Sequence, residues 1–146
     1  MNITDDKVTT YIEGLYTPID EKLSALREKG MKRNIPILFP ETETLLRSLV
    51  RIRQPEHILE VGTAIGYSAS CFSSAGDCRV TTIEARPELA EEARQNIEAI
   101  GLSQQIDIIT GDAREVLPDL SGSFDFVFID AAKSHYRTFW DYILPM

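Results

Sequence analysis

The sequence has no long hydrophobic run and few cysteines or histidines. No stretch approaches the roughly 18 apolar residues that a membrane-spanning helix needs, and the N-terminus lacks the basic and then apolar pattern of a secretion signal. We therefore expect a cytoplasmic protein with no membrane partner. Cys71 and Cys78 are too few and too close for a secreted disulfide scaffold, and they form no zinc-ligand pattern with His57 or His135. We expect both cysteines to pack in the interior and assign no role to either histidine.

Positive charge is also scarce. The 15 lysines and arginines are outnumbered by 23 acidic residues, and the net charge of −8 at pH 7 argues against broad affinity for nucleic acid. The N-terminal third nevertheless concentrates basic residues. Solvated helix faces are the usual explanation of such a concentration, and a local patch that docks a folded RNA is the alternative. The residues concerned are Arg27, Lys29, Lys32, Arg33, Arg47, Arg51 and Arg53.

The composition is otherwise ordinary. A chain of 146 residues with 43% hydrophobic and 26% charged residues predicts one soluble globular domain. We divide it into a helical segment at 1–34 and an α/β unit at 35–146. Helical periodicity predicts a helix over 4–16 with Thr4 as N-cap, a second helix after Pro18 that stops at Gly30, a loop over 31–40, and a third helix over 41–53. The first helix has an apolar stripe of Val8, Tyr11, Ile12 and Leu15, and the third has one of Leu45, Leu46, Leu49, Val50 and Ile52.

The middle of the chain predicts a nucleotide-binding unit. The stretch 57–68, HILEVGTAIGYS, predicts a buried strand, a glycine-bearing turn and a helix over about 66–75. Glycines in such a turn let the backbone approach a ligand. Glu60 ends the strand, where a charge is costly unless it binds a polar ligand or caps nearby N–H groups. A second strand ends at Glu84, and an acid at that position of a βαβ unit accepts hydrogen bonds from ribose hydroxyls.

Two further units follow the same alternation of strand and helix. Pro87 begins a helix that ends at the C-cap Gly101, a third strand over 106–109 leads to residues 111–113, and a fourth strand spans 124–130. A last helix, ended by Pro145, has a stripe of Tyr136, Phe139, Trp140 and Ile143. The alternation predicts an α/β fold: a Rossmann-like, doubly wound parallel sheet in the order 3-2-1-4, preceded by N-terminal helices.

The glycine turn also restricts the class of ligand. It contains neither the dinucleotide fingerprint G-x-G-x-x-G nor a Walker sequence with its lysine, so a pyrophosphate has no evident binding group. A phosphate-free nucleoside fits better. A nicotinamide-dependent reductase and a non-catalytic nucleoside-binding or assembly module are the alternatives.

The residues carry a resemblance to a known family. The pattern Glu60-x-Gly62-x-Ala64-x-Gly66, with Glu84 and residues 111–113, resembles the S-adenosylmethionine site of class I methyltransferases. More narrowly, LEVGTAIGYS at 59–68 and FIDAAK at 128–133 resemble the cation-dependent O-methyltransferases of catechol and caffeoyl-coenzyme A type, a bacterial branch of which methylates 5-hydroxyuridine in transfer RNA. The resemblance covers about residues 35–146.

The resemblance implies S-adenosylmethionine as cofactor and a set of contacts to it. The segment around Ile37 lies over the methionine end, Glu84 binds the ribose hydroxyls, and Asp112 or the backbone of Ala113 faces the adenine. Asp112 has the alternative of a simple turn residue after a glycine. The residues implied in cofactor binding are Ile37, Glu60, Gly62, Thr63, Ala64, Gly66, Tyr67, Ser68, Glu84, Ala85, Asp112, Ala113 and Asp130.

The resemblance also implies catalytic roles for Asp130 and Lys133. Asp130 is implied as a ligand of a divalent cation, Mg²⁺, which orients the acceptor hydroxyl and lowers its pKa. Lys133 corresponds to the general base. An N-cap for the last helix is the alternative for Asp130, and a surface position is the alternative for Lys133. The family's second metal motif, an Asp-Asn pair, is not in this sequence, so we expect weak or absent metal binding.

The predicted function is an S-adenosylmethionine-dependent O-methyltransferase. The acceptor is 5-hydroxyuridine in transfer RNA or, alternatively, a small catechol or hydroxycinnamoyl-type hydroxyl. Members of the resembling family continue for three more strands, so we expect this chain to be a fragment that is truncated after strand four, and its own turnover is in question. An apolar fourth strand at the sheet edge invites pairing with another chain, and we therefore predict a homodimer or other self-association.

Overall fold

The computed structural model describes residues 5–146, apart from the side chain of Glu13, so the predicted N-cap Thr4 lies outside the described residues. Four parallel strands form one sheet in the order β3-β2-β1-β4, which confirms the predicted fold. The strands are β1 His57–Val61, β2 Arg79–Glu84, β3 Ile106–Thr110 and β4 Phe126–Ile129. The fourth strand is shorter than the predicted 124–130.

Helices cover both faces of the sheet. They are α1 Asp6–Gly14, α2 Glu21–Lys32, α3 Pro40–Arg53, α4 Tyr67–Ala75, α5 Pro87–Ile100, α6 Ala113–Val116 and α7 Tyr136–Ile143, with 3-10 turns at Leu117–Asp119 and Lys133–His135. No helix within residues 5–146 has the length and apolar character to cross a membrane.

The core divides along the sheet. On one face, Ile58 and Val80 pack against Phe72 of α4 and Ile97 of α5. On the other, Leu59, Val61 and Ile83 pack against Leu117 and against Phe139 and Ile143 of α7. A third cluster joins Leu23 and Leu26 of α2 to Ile65, Tyr67 and Cys71. The strands are therefore covered on both sides, and Cys71 and Cys78 are buried free thiols, as predicted.

Two predicted helix boundaries near the N-terminus were wrong. Helix α2 continues two residues beyond Gly30, because Gly30 faces inward and packs against Ile37 and Ile65, where a Cβ would lie 3.1 Å from each side chain. Pro40 begins α3 at its first position, where its missing N–H costs nothing. Both apolar stripes lie largely at the surface: Val8, Tyr11, Ile12, Leu15, Leu45, Leu49 and Ile52 are exposed, whereas Val50 of α3 is fully buried in the core and Leu46 packs against it.

Candidate functional site

A cavity of about 430 Å³ opens at the carboxyl ends of the strands. This is the edge at which parallel α/β sheets bind ligands. The lining comes from the loop over 36–38, the turn after β1, the end of β2, the start of α6 and the segment after β4. Its residues are Pro36, Ile37, Leu38, Val61, Gly62, Thr63, Ala64, Tyr67, Ser68, Ile83, Glu84, Ala85, Arg86, Gly111, Asp112, Ala113, Arg114, Asp130, Ala131, Ala132, His135 and Phe139.

The turn after β1 is shaped by backbone that an ordinary residue does not adopt. Gly62 has φ +107°, and a Cβ there would lie 2.3 Å from the Asp130 carbonyl oxygen. Its N–H donates to the Ile83 carbonyl at 2.9 Å, while the Asp130 N–H donates to Val61 at 2.9 Å. Only glycine lets the ends of β1, β2 and β4 approach so closely. Gly62 therefore fixes the floor of the cavity.

Glu84 holds this turn in place. One of its oxygens accepts the Ala64 N–H at 2.8 Å, and the other accepts the Arg86 N–H at 3.0 Å. Ala64 has φ +48°, an uncommon value for a residue with a Cβ. Glu84 lines the cavity and is nearly buried. Because each carboxylate oxygen can accept more than one hydrogen bond, Glu84 keeps acceptor capacity for a ligand.

Glu60 does not line the cavity, contrary to the prediction that it contacts the cofactor. The parallel register pairs Glu60 with Thr82, so both side chains lie on the sheet face opposite Leu59 and Val61. There Glu60 is fully buried and accepts the Thr82 hydroxyl at 2.5 Å. The Thr82 oxygen lies 2.6 Å from the hydroxyl of Thr63, which does line the cavity. Glu60 therefore contacts the cavity lining indirectly, through the hydroxyls of Thr82 and Thr63.

Burial also perturbs this carboxyl group. It raises the pKa of Glu60 to about 7, against the lowering effect of the Ser68 and Thr82 hydroxyls, and the charges of Asp130 and Glu84 raise the pKa further. Its Oε1 atom has no hydrogen-bond partner among the residues that the structure describes. Glu60 therefore combines a raised pKa with one buried oxygen that has no partner in the part of the chain that the structure describes.

Two further predicted residues lie outside the lining. Gly66 adopts φ +84° as the N-cap of α4 and faces α5, where a Cβ would lie 3.1 Å from Ile97. Lys133 lies in the exposed 3-10 turn Lys133–His135 rather than in the last helix. Gly66 therefore serves helix packing, and the predicted general base is not on the cavity wall.

Asp112 lines the cavity and also caps a helix. It is the N-cap of α6, accepting the Arg114 N–H at 2.9 Å, and it also lines the cavity. The Arg114 guanidinium donates to it at 2.5 Å. Hydrogen bonds from the Arg114 side chain, followed by that from its backbone, lower the pKa of Asp112 to about 2. Asp112 is therefore ionised at the rim of the cavity.

The residues present do not complete a divalent-cation site. Asp130 lines the cavity and does not cap α7, whose N-cap is His135. Within residues 5–146, no group of three His, Cys, Asp or Glu residues could hold a metal ion. Asp130 shares the cavity lining with Glu84 and Asp112, but these three carboxylates do not form such a group. The residues present therefore do not fit a Mg²⁺ site.

Several lining residues escaped the sequence analysis. Some lie close after strand ends, which was an available signal, and the quoted motif FIDAAK contains two of them, whereas the loop before α3 and helix α7 carried no signal. The residues are Leu38, Arg86, Arg114, Ala131, Ala132, His135 and Phe139. Glu43, a completely buried acid on α3 that is hydrogen-bonded to Tyr67, was also not predicted from the sequence.

The family follows from comparison with known proteins. A family model described as O-methyltransferase matches residues 16–146. The chain belongs to this O-methyltransferase family. Among curated relatives of this O-methyltransferase chain, a catechol O-methyltransferase of Niastella koreensis is 33% identical, over 97% of this chain and 67% of the relative.

Solved structures of the family agree with the fold. An SAH-bound methyltransferase of Podospora anserina, PaMTH1, is 27% identical with a TM-score of 0.88, over 96% of this chain and 62% of that one. An O-methyltransferase of Bacillus cereus in complex with SAH is 31% identical with a TM-score of 0.85, over 95% and 67%. The chain thus spans about two thirds of the length of these three relatives.

Proposed function

We propose that this chain binds S-adenosylmethionine in the cavity and serves methyl transfer to a hydroxyl group of a small catechol-type acceptor. The observation that carries the proposal is the convergence of Glu84, the turn at 62–64 and Asp112 on one cavity at the sheet's carboxyl edge. Two structural relatives were solved with SAH, S-adenosylhomocysteine, the product of such a reaction. A curated relative is named a catechol O-methyltransferase.

The cavity residues have complementary roles toward such a nucleoside. When bound, S-adenosylmethionine supplies an electrophilic methyl group on a sulfonium. Glu84, already fixed by two backbone N–H groups, accepts hydrogen bonds from ribose hydroxyls. The glycine turn gives the ligand close backbone approach. Apolar lining from Ile37 and Ile83 covers the less polar parts of the ligand and excludes water.

Acceptor activation requires a proton to leave the hydroxyl. Asp130 is the carboxylate on the wall after β4 and is placed to accept a hydrogen bond from an acceptor hydroxyl. The roles of Lys133 as general base and of Mg²⁺ as activator stay predictions. A Lys133→Met variant that methylates as fast as wild type would contradict the role of Lys133 as general base.

A small acceptor is favoured over transfer RNA because most of the basic residues clustered in the N-terminal third form ion pairs within the chain. Arg27 and Arg47 pair with the buried Glu43. Lys29 and Arg33 both pair with Glu92, and Lys32 pairs with Glu28. Cations that are paired within the chain offer less to RNA phosphates. The transfer-RNA acceptor therefore ranks second.

Calorimetric titration of the purified chain with SAH and with NAD tests the donor site. We expect SAH to bind and NAD not to bind. Binding of NAD alone would overturn the proposal in favour of a nicotinamide enzyme, and binding of neither ligand would favour the assembly module. Methylation assays with a catechol and with transfer RNA carrying 5-hydroxyuridine then separate the two acceptors.

A further inference from the structure

Glu43 is a buried acid outside the cavity with an unusually complete set of partners. It is fully buried on α3 and does not line the cavity. Its Oε2 accepts the Tyr67 hydroxyl at 2.6 Å and the Tyr16 hydroxyl at 2.9 Å, and Arg27 lies 3.5 Å away. Its Oε1 accepts from Arg47 at 3.3 Å. Burying a carboxylate is costly even when it is paired, so a site that retains one invites a functional explanation.

The partners of Glu43 reach two walls of the cavity. Tyr67 is the first residue of α4 and lines the cavity from the turn after β1. Arg27 also donates to the Leu38 carbonyl at 2.8 Å, and Leu38 lines the cavity from the loop over 36–38. The Arg27 guanidinium lies over the rings of Tyr16 and Tyr67, 5.5 and 5.7 Å from their centroids. One carboxylate thus ties together two segments that are separate in the sequence.

The direction of the central hydrogen bond is fixed. Burial raises the pKa of Tyr67 far above its usual range, and Cys71 and Glu43 raise it further. The hydroxyl therefore keeps its proton and donates a hydrogen bond to Glu43. This bond holds the Tyr67 side chain, and Tyr67 lines the cavity.

We propose that Glu43 is a positioning residue for the methyl-donor site, acting through Tyr67 and through the Arg27–Leu38 contact to fix the two walls. The inference rests on the proposed function. It assigns to α2 and α3, which contribute no residue to the cavity lining, the task of preorganising the site for its ligand. Preorganisation of this kind raises affinity because less conformational freedom is lost on binding.

Calorimetric SAH binding by three single variants and one double variant tests this. Glu43→Gln keeps the shape but removes the charge, and Tyr67→Phe keeps the ring but removes the donated hydrogen. We expect each to weaken SAH binding by about tenfold, and the double variant to be little worse than either alone, because the two groups act as one unit. Glu91→Gln is the control: Glu91 is an exposed acid that pairs with Arg94 of the same helix and lies outside the cavity lining. Its SAH affinity should equal that of wild type.

The outcomes separate a positioning role from a structural one. If Glu43→Gln lowers only the melting temperature and binds SAH normally below it, the inference is wrong. Should Glu43→Gln fail to fold, Tyr67→Phe decides alone, and wild-type affinity in that variant overturns the inference. Additive losses in the double variant would also count against it. A wild-type chain that does not bind SAH refutes the proposed function itself, which is a distinct result.

Discussion

Glu60 shows why a correctly placed residue can still have a different role from the one predicted. The sequence locates it at the end of β1, and the structure places it one residue before the last residue of that strand, Val61. Its side chain turns to the face shared with Thr82 because strand pairing sets the alternation, and a single sequence does not reveal which neighbour it will meet. The acid therefore reaches the site through the Thr82 and Thr63 hydroxyls.

The raised pKa of Glu60 predicts a pH-dependent stability. The pKa of about 7 in the folded state lies above the ordinary pKa of a glutamate, 4.5. The folded state therefore holds this proton more tightly, and the stabilisation is complete below about pH 4.5 and is lost as pH rises through 7. We expect wild type to lose on the order of 3 kcal/mol of unfolding free energy from this group between these pH values.

Urea denaturation at pH 5 and pH 8 measures this effect. Glu60→Gln carries no titrating proton, so its stability should change less than that of wild type between the two pH values. Equal pH dependence in the two proteins would contradict the prediction.

Replacing Glu84 should affect both stability and ligand binding. Glu84→Gln has one acceptor oxygen for the two N–H groups of Ala64 and Arg86, so one of them loses its partner. We expect a loss of about 1–2 kcal/mol in unfolding free energy, together with weaker SAH binding. Glu88→Gln, an exposed acid at the start of α5, is the control. Unchanged SAH affinity in Glu84→Gln would show that Glu84 does not contribute to SAH binding.

At the scale of elements, the glycine turn after β1 gives a matched pair of substitutions. Gly62 and Gly101 both have positive φ, +107° and +96°. A Cβ at Gly62 would collide with the Asp130 backbone, whereas a Cβ at Gly101 would meet nothing within 4 Å. Gly101→Ala should cost about 1 kcal/mol, from backbone strain alone.

Gly62→Ala should lower the free energy of unfolding by more than Gly101→Ala does, by about 3 kcal/mol or more, because the backbone at Asp130 must move. Urea denaturation of both variants checks the comparison. Equal losses would mean that the turn accommodates a side chain and that the close approach of β1 and β4 is not required.

The strands and the helices between them were predictable because their patterns are local. Buried strands bounded by turns, Pro87 at a helix start and Gly101 at a helix end all lie where expected. The N-terminal helices were less predictable. Their apolar stripes indicate helix but not burial, and whether Gly30 stops α2 or packs inside it depends on Ile37 and Ile65, which only the folded chain brings together.

The candidate site was predictable where residues follow strand ends. Gly62, Glu84, Asp112 and Asp130 all line the cavity, as expected from the shared edge of a parallel sheet. Glu43 was not predictable, because an acid on an amphipathic helix usually lies at the surface. Its burial depends on tyrosines and arginines that converge from α2, α4 and the segment before α2.

At the scale of the whole molecule, the exposed apolar surface supports the prediction of self-association. Strand β4 lies at one edge of the sheet that residues 5–146 form, as the predicted order 3-2-1-4 implies. Exposed apolar side chains also cover α1 and α3, among them Leu45 and Ile52. Light scattering over a concentration series should give a mass above that of one chain, and a monomer throughout would contradict the prediction.

The variant Leu45→Glu locates the contact. If association occurs through the β4 edge, as predicted, the mass of Leu45→Glu should equal that of wild type. Dissociation of this variant into monomers would instead place the contact on α3.

Helix α2 is attached to α5 partly by polar contacts near the surface. Besides the packing of its buried leucines, Lys29 and the C-cap Arg33 pair with Glu92, and Lys22 donates to the carbonyls of Ala99 and Ile100. Ion pairs near the surface weaken as salt screens them, whereas buried apolar packing does not. Amide hydrogen exchange in α2 should therefore quicken with added sodium chloride while exchange in β1 stays constant. If α2 helps to shape the donor cavity, the affinity for SAH should then depend on ionic strength through contacts that lie outside the cavity.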